Sequence, residues 1–136
     1  MANGTIAFDT LTTSDSKKTS TEKSIDTSYL FNGVVKCWVN FDGGATNAAS
    51  RDSFNVSSMA DRGTGLSTIT LSNAMSDSNY AGTTSCMGTN GDDDGRNYVA
   101  VAMPKDTDEV YVNQFGVAGS AADGGYVAAH ITGDLA

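Results

Sequence analysis

The sequence predicts an all-β protein: a single antiparallel β-sandwich, jelly-roll-like, carrying a polar N-terminal arm. Helix formers are scarce, with five Leu, two Glu and five Lys in 136 residues, while Thr, Ser, Gly, Asn and Asp fill the gaps between short apolar runs. Those runs return roughly every 10 to 15 residues and alternate side chains between two faces, the spacing of a sandwich or barrel. A chain of this length is one domain, able to bury about two-thirds of its unfolded surface without covalent staples.

From the N-terminus, Gly4 to Leu11 reads as an extended run with Ile6 and Phe8 on one face. Thr12 to Thr27 has Ile25 as its one apolar residue and reads as a loop or arm made locally basic by Lys17, Lys18 and Lys23. Residues 1–30 are therefore expected to be strand and docking arm, and 31–136 the sandwich. Strands are expected at Val34–Phe41, Ser53–Val56, Leu66–Leu71, Asn79–Cys86, Asn97–Met103, Val110–Val117 and Gly125–Ile131. Cys37-Trp38-Val39-Asn40-Phe41 and Ser67-Thr68-Ile69-Thr70-Leu71 alternate as facing strands of two sheets would. Tyr98 to Met103 is apolar on both faces and is expected at the centre of a sheet. In the last strand Val127, Ala129 and Ile131 should face the core. Pro104 suits a strand end because it cannot donate to a ladder. Neither heptads nor an internal repeat is visible, so no long shaft is expected.

Formal charge is −8, from 16 acidic and 8 basic residues. Such a surface repels phosphate backbones and anionic lipid, so nucleic-acid and membrane binding are not expected. No apolar run approaches the roughly 20 residues of a membrane span. The first residues lack the basic and apolar segments of a signal peptide, and Sec export is not expected. Cys37 and Cys86 fall in or at the end of strands, where a thiol behaves as a small buried hydrophobe, and cytosolic synthesis disfavours their pairing.

The loop Asn90-Gly91-Asp92-Asp93-Asp94-Gly95 begins as a calcium loop does, with oxygens at Asn90, Asp92 and Asp94 and Gly at the sixth position. Its twelfth residue is Val101 where an EF-hand needs Glu, and its flanks are strands, so an Asp/Gly hairpin loop whose Asp side chains satisfy their own backbone is expected over a calcium site. No cofactor is expected, calcium at Asn90, Asp92 and Asp94 being the lesser alternative to the hairpin. His130 is the single histidine. No serine stands in a nucleophile-elbow context, so an exposed or interfacial His130 is expected and an enzyme is not. Trp38 sits on an apolar strand and is expected in the core. Sugar stacking on Trp38 or on Tyr29, Tyr80, Tyr98, Tyr111 or Tyr126 is the competing role. Arg51-Asp52 and Asp61-Arg62-Gly63 should make surface ion pairs or turn contacts.

An ordered pattern runs from Lys36 to Tyr80. Lys36, Trp38, Val39, Asn40, Phe41 and Gly43 fit K-x-W-V-N-F-x-G. Arg51, Ser53, Phe54, Asn55, Val56, Ser57, Ser58, Asp61, Gly63, Thr64 and Gly65 fit R-x-S-F-N-V-S-S-x-x-D-x-G-T-G. Ala74, Met75, Asp77, Asn79 and Tyr80 fit x-A-M-x-D-x-N-Y. Over about a third of the chain this resembles a module of virion-surface and tail-fibre-type structural proteins in marine bacteriophages of the cyanophage and pelagiphage type. The closing strand Tyr126–Ile131 looks similar too. Trp38, Phe41, Phe54 and Tyr80 form the heart of the pattern.

The resemblance implies a non-enzymatic virion protein, made in the host cytoplasm and displayed on the particle, that reinforces it or adheres to the host. Its partners would be other capsid or tail proteins and a host-surface glycan, and it would assemble with copies of itself, a trimer by analogy with phage fibres. An arm of about 30 residues at ~3.3 Å each reaches at most ~100 Å, with no shaft pattern in it. A small fibre or knob component, or a capsid decoration protein, is therefore expected over a complete fibre. The arm is the expected docking segment, and the loops Gly43–Ser50 and Gly88–Asn97 the expected outward face. A carbohydrate-binding β-sandwich module is the alternative.

Overall fold

The computed structural model describes residues 10–12, 24–45, 49–88, 98–116 and 118–136. The chain divides into two compact units, 1–34 and 35–136. In the first, β1 (Thr10–Thr12) pairs antiparallel with β2 (Ser24–Asp26), and α1 (Thr27–Gly33) follows directly. The expectation of loop up to Thr27 is thus corrected at its end, where Ser24–Asp26 finds a strand partner in Thr10–Thr12. One short helix is too brief for periodicity to announce. Lys17, Lys18 and Lys23 lie outside the described residues.

The second unit is the expected β-sandwich. One sheet has the order β4 (Ser50–Phe54), β3 (Val35–Phe41), β10 (Tyr126–Thr132), β7 (Ala81–Met87). The other runs β5 (Val56–Asp61), β6 (Leu66–Leu71), β9 (Glu109–Gly116), β8 (Tyr98–Pro104). Every described pairing is antiparallel. Two four-stranded sheets match the strand number of a jelly roll, but β3–β4, β5–β6 and β8–β9 pair as sequence neighbours.

Alternation builds the core. Cys37, Val39 and Phe41 of β3, Ile69 and Leu71 of β6, Val110 and Val112 of β9, and Val127, Ala129 and Ile131 of β10 all point inward and are buried. Met75 and Tyr80, from the connection after β6, close one end. All of these lie in residues 35–136, so this unit carries its own core. On one flank the sheets draw together: Thr84 Oγ1 donates to Ala100 O at 2.5 Å. Gly82 allows that approach, since a Cβ there would come within 2.6 Å of the Ala102 methyl.

Two expectations are corrected. The single strand expected at Ser53–Val56 is two strands in different sheets, β4 and β5, separated by Asn55 alone. Asn55 is left-handed, with φ of 59°, a conformation that Asn tolerates better than other residues with a side chain. Its Nδ2 donates to Lys36 O and to Asn73 O, both at 3.1 Å. Its Oδ1 accepts from Asn73 N at 2.8 Å and Asn73 Nδ2 at 3.0 Å, and its carbonyl accepts from Ser72 N at 3.1 Å. The second correction is β8, expected at a sheet centre and found at an edge. Tyr98, Ala100 and Ala102 pack on the core, while Val99, Val101 and Met103 are 60%, 43% and 36% exposed. Two apolar faces show that both can be covered, and not that anything covers them.

Replacing Asn55 separates its two contributions. Asn55→Gly keeps the left-handed turn and loses the side-chain bonds, whereas Asn55→Ala loses both. Urea melts should order stability Asn > Gly > Ala, with Ala about 1 kcal/mol below Gly and about 3 kcal/mol below the parent chain.

Candidate binding face

The alternation that sends Cys37, Val39 and Phe41 inward turns Trp38 and Asn40 outward. Register then assembles a row across the first sheet. Trp38 stands opposite Phe54 on one side and His130 on the other, and His130 opposite Thr83. Two residues further along the strands lies a second row, Asp52, Asn40, Ala128 and Ser85. Phe54 is 55% exposed and Tyr126, beyond the second row, 49%. Trp38 is half-buried and His130 exposed. A shallow depression of about 240 Å³, lined by Thr83, Thr84, Ser85, Ala128 and His130, lies at the end of this face.

Arg51 holds one border. Its Nη1 donates to Phe41 O at 2.8 Å and Asn40 Oδ1 at 3.4 Å, and its Nη2 to Gly125 O at 2.6 Å and Asp42 Oδ2 at 3.1 Å. The guanidinium lies 4.3 Å from the centre of the Tyr126 ring. Arg51 thus pairs with Asp42 and not with its neighbour Asp52, whose Oδ1 accepts from Ser53 N at 2.8 Å. Near the other pair, Asp61 Oδ1 accepts from Gly63 N at 2.8 Å, and Arg62 covers the Tyr111 ring at 3.8 Å.

The sequence-predicted residues scatter in a way that explains them. Phe41 and Tyr80 are buried, and the Tyr80 hydroxyl donates into the hairpin carbonyls Asp106 O at 2.9 Å and Glu109 O at 2.6 Å. Trp38, expected in the core, sits on the outer face beside Phe54. Strand period gives it the parity opposite to Phe41, and an apolar neighbourhood in sequence is not a neighbourhood in space. Asn90, Asp92 and Asp94 lie outside the described residues, and among the described residues no cluster of three or more His, Cys, Asp or Glu could hold a metal. Of the two loops expected to face outward, the first begins inside: Gly43 is buried, and its N–H donates to Gly124 O at 2.8 Å.

Sequence reasoning missed a buried polar hub. Gln114 is fully buried on β9; its Nε2 donates to Ser67 Oγ at 3.3 Å and its Oε1 accepts from Gly124 N at 2.8 Å. Gly43 packs so closely on this amide that a Cβ would overlap it. Also missed was the outer face of the second sheet. There Val99, Val101 and Met103 of β8 stand opposite Phe115, Asn113 and Tyr111 of β9, and Leu66 lies beyond Asn113. Among the described residues, Asn113 Oδ1, buried in it, has no hydrogen-bond partner. The period-2 pattern of Val99-Val101-Met103 was the signal available.

The thiols are free and buried. Register puts Cys37 opposite Ile131 and Cys86 opposite Val127, on strands to either side of β10. They are thus about 10 Å apart across the sheet and about 13 Å along it, beyond disulfide reach. Burial raises the Cys37 thiol from 9.0 to about 11 and raises Cys86 in the same direction, so neither is an activated nucleophile.

Compared with protein-family models, curated proteins and solved structures, the chain matches none.

Both thiols should resist a bulky disulfide reagent at pH 8 in the native chain and react stoichiometrically in denaturant. The raised folded value of Cys37 gives stability that is present below pH 9 and lost as pH climbs towards 11. Cys37→Ala should flatten that alkaline limb in pH-dependent melts, at some cost in stability from the small cavity left behind.

Proposed function

We propose that this chain is a non-enzymatic bacteriophage virion protein displayed on the particle surface, a small fibre or knob component or a capsid decoration protein, acting in reinforcement and host adhesion. The reading rests on the ordered likeness of Lys36 to Tyr80 to the phage module. The observation that carries it is where those residues sit. Asn55 forms the corner between the sheets, Arg51 clamps the border, Gly43 packs on Gln114, and Met75 and Tyr80 close the core. Those residues are framework, and Trp38, Asn40 and Phe54 of the same pattern lie outward on the first sheet, which suits a module that recurs as a scaffold presenting contacts on its faces.

Two outer sheet faces offer those contacts. On the second sheet the exposed stripe Val99, Val101 and Met103, beside Phe115 and separated from Leu66 by Asn113, is an apolar surface of the kind that marks an assembly face. We assign it to contact with other virion proteins and with further copies of the chain in a trimer. Free thiols agree with synthesis in the reducing host cytoplasm. Reinforcement needs only area of this kind, and adhesion needs a second, more polar face.

Cryo-electron microscopy of intact particles tests the assignment. Density fitting the sandwich should appear on the capsid lattice or at the tail, and its absence would overturn the virion reading. Residues 35–136 produced alone should melt cooperatively, because the core lies within them, yet fail to enter particles without the arm. Val101→Asp should leave the melting temperature within a few degrees while reducing self-association and incorporation at least tenfold.

A further inference from the structure

We propose that the outer face of the first sheet is a binding site for a neutral saccharide chain, lying across the strands along the row Phe54, Trp38, His130 and Thr83. This names the ligand of the adhesion reading above and rests on that reading only for its biological setting; binding by the isolated chain stands apart from where the chain resides.

The row supplies what a sugar needs. Neighbouring strands are about 4.8 Å apart, so Phe54, Trp38 and His130 present three rings side by side over roughly 10 Å. Rings so placed take the apolar C–H faces of pyranoses, and burying an aromatic surface under such a partner is favourable in proportion to area. The second row runs parallel about 7 Å away, two residues along each strand. It carries a carboxylate on Asp52, an amide on Asn40 and a hydroxyl on Ser85, the donors and acceptors that equatorial hydroxyls use. Ala128, the smallest residue of that row, leaves the depression of about 240 Å³ beside His130, Thr83 and Ser85. An extended ligand thus meets ring contacts on one side, polar contacts on the other and a recess at its end.

Charge selects the class. Arg51, the guanidinium on this border, is committed to Asp42, two backbone carbonyls and the Tyr126 ring. With Asp52 on the face and a formal charge of −8 on the chain, a sulfated, sialylated or phosphate-bearing ligand is repelled. The face is also chemically unlike the Val99-Val101-Met103 stripe on the opposite sheet, so the two surfaces separate sugar contact from protein contact.

The test presents the full chain to arrayed neutral oligosaccharides, with sulfated and sialylated ones beside them, and titrates the tightest neutral ligand against Trp38 fluorescence. Because Trp38 is the sole tryptophan, its emission should shift and its quenching by acrylamide should fall on binding. Phe54→Ser and His130→Ala, at exposed positions, should each weaken binding at least tenfold with little change in melting temperature, while Val101→Asp on the other sheet leaves it intact. The proposal is overturned if no neutral oligosaccharide binds, if charged ones bind better, or if binding leaves Trp38 emission and quenching unchanged. It also falls if binding survives both first-sheet substitutions. Should either variant misfold, the Trp38 titration of the unaltered chain decides alone. Saccharide binding by a protein missing from particles would end the virion reading and leave this one standing.

Discussion

The sandwich hangs on one left-handed residue. Asn55 passes the chain from the edge of one sheet to the edge of the other, and a two-residue hairpin in its place would have kept both strands in a single sheet. Its side chain binds the backbone of Lys36, near the start of β3, and of Asn73, which follows β6. One amide therefore fixes the start of the first sheet's central strand to the end of the second's. Each bond is worth only about 1 kcal/mol, but together they set the separation over which Phe41, Ile69, Val112 and Ile131 interdigitate. Lose the corner, and the inner faces no longer meet at packing distance.

The opposite end is closed by polar chemistry. Gln114 occupies a position that alternation would give to an apolar side chain, and a buried amide is costly unless it is satisfied. Here it meets Ser67 and the Gly124 N–H, while its backbone N–H donates to Gly65 O at 2.7 Å and its carbonyl accepts from Ala122 N at 3.2 Å. Asp123 adds a bond from Gly65 N at 2.6 Å. Three loops from different parts of the chain are thereby tied to one residue, through its backbone and its side chain. Gly43 has to be glycine because that side chain fills the space a Cβ would take.

With both ends and the interior committed to structure, the outer faces are left for function, and they differ. One is an aliphatic stripe around the buried amide oxygen of Asn113, the other a mixed surface of rings, hydroxyls and amides. The proposed role, sitting on a particle and touching a cell, would use one surface of each kind. This division of labour is the physical content of the functional reading: Asn55, Arg51, Gly43, Met75 and Tyr80 of the recurring motif hold the frame, while Trp38, Asn40 and Phe54 of the same motif lie on the outer face.

The sequence by itself determined the strands and their inward sides. Leu66–Leu71 has the bounds read from alternation, and Val127, Ala129 and Ile131 face inward as expected, because strand parity is a local property with a period of two. Tertiary structure alone decided which strands became neighbours. No local rule could split Ser53–Val56 at Asn55, since the turn is held by residues 18 and 19 positions away. Nor could one bury Gln114, whose partner Ser67 is 47 positions distant. The candidate site follows the same division. Trp38 and His130 stood out as residue types, but their meeting with Phe54 in one row depends on the register of three strands, which long-range pairing sets and a linear pattern does not contain.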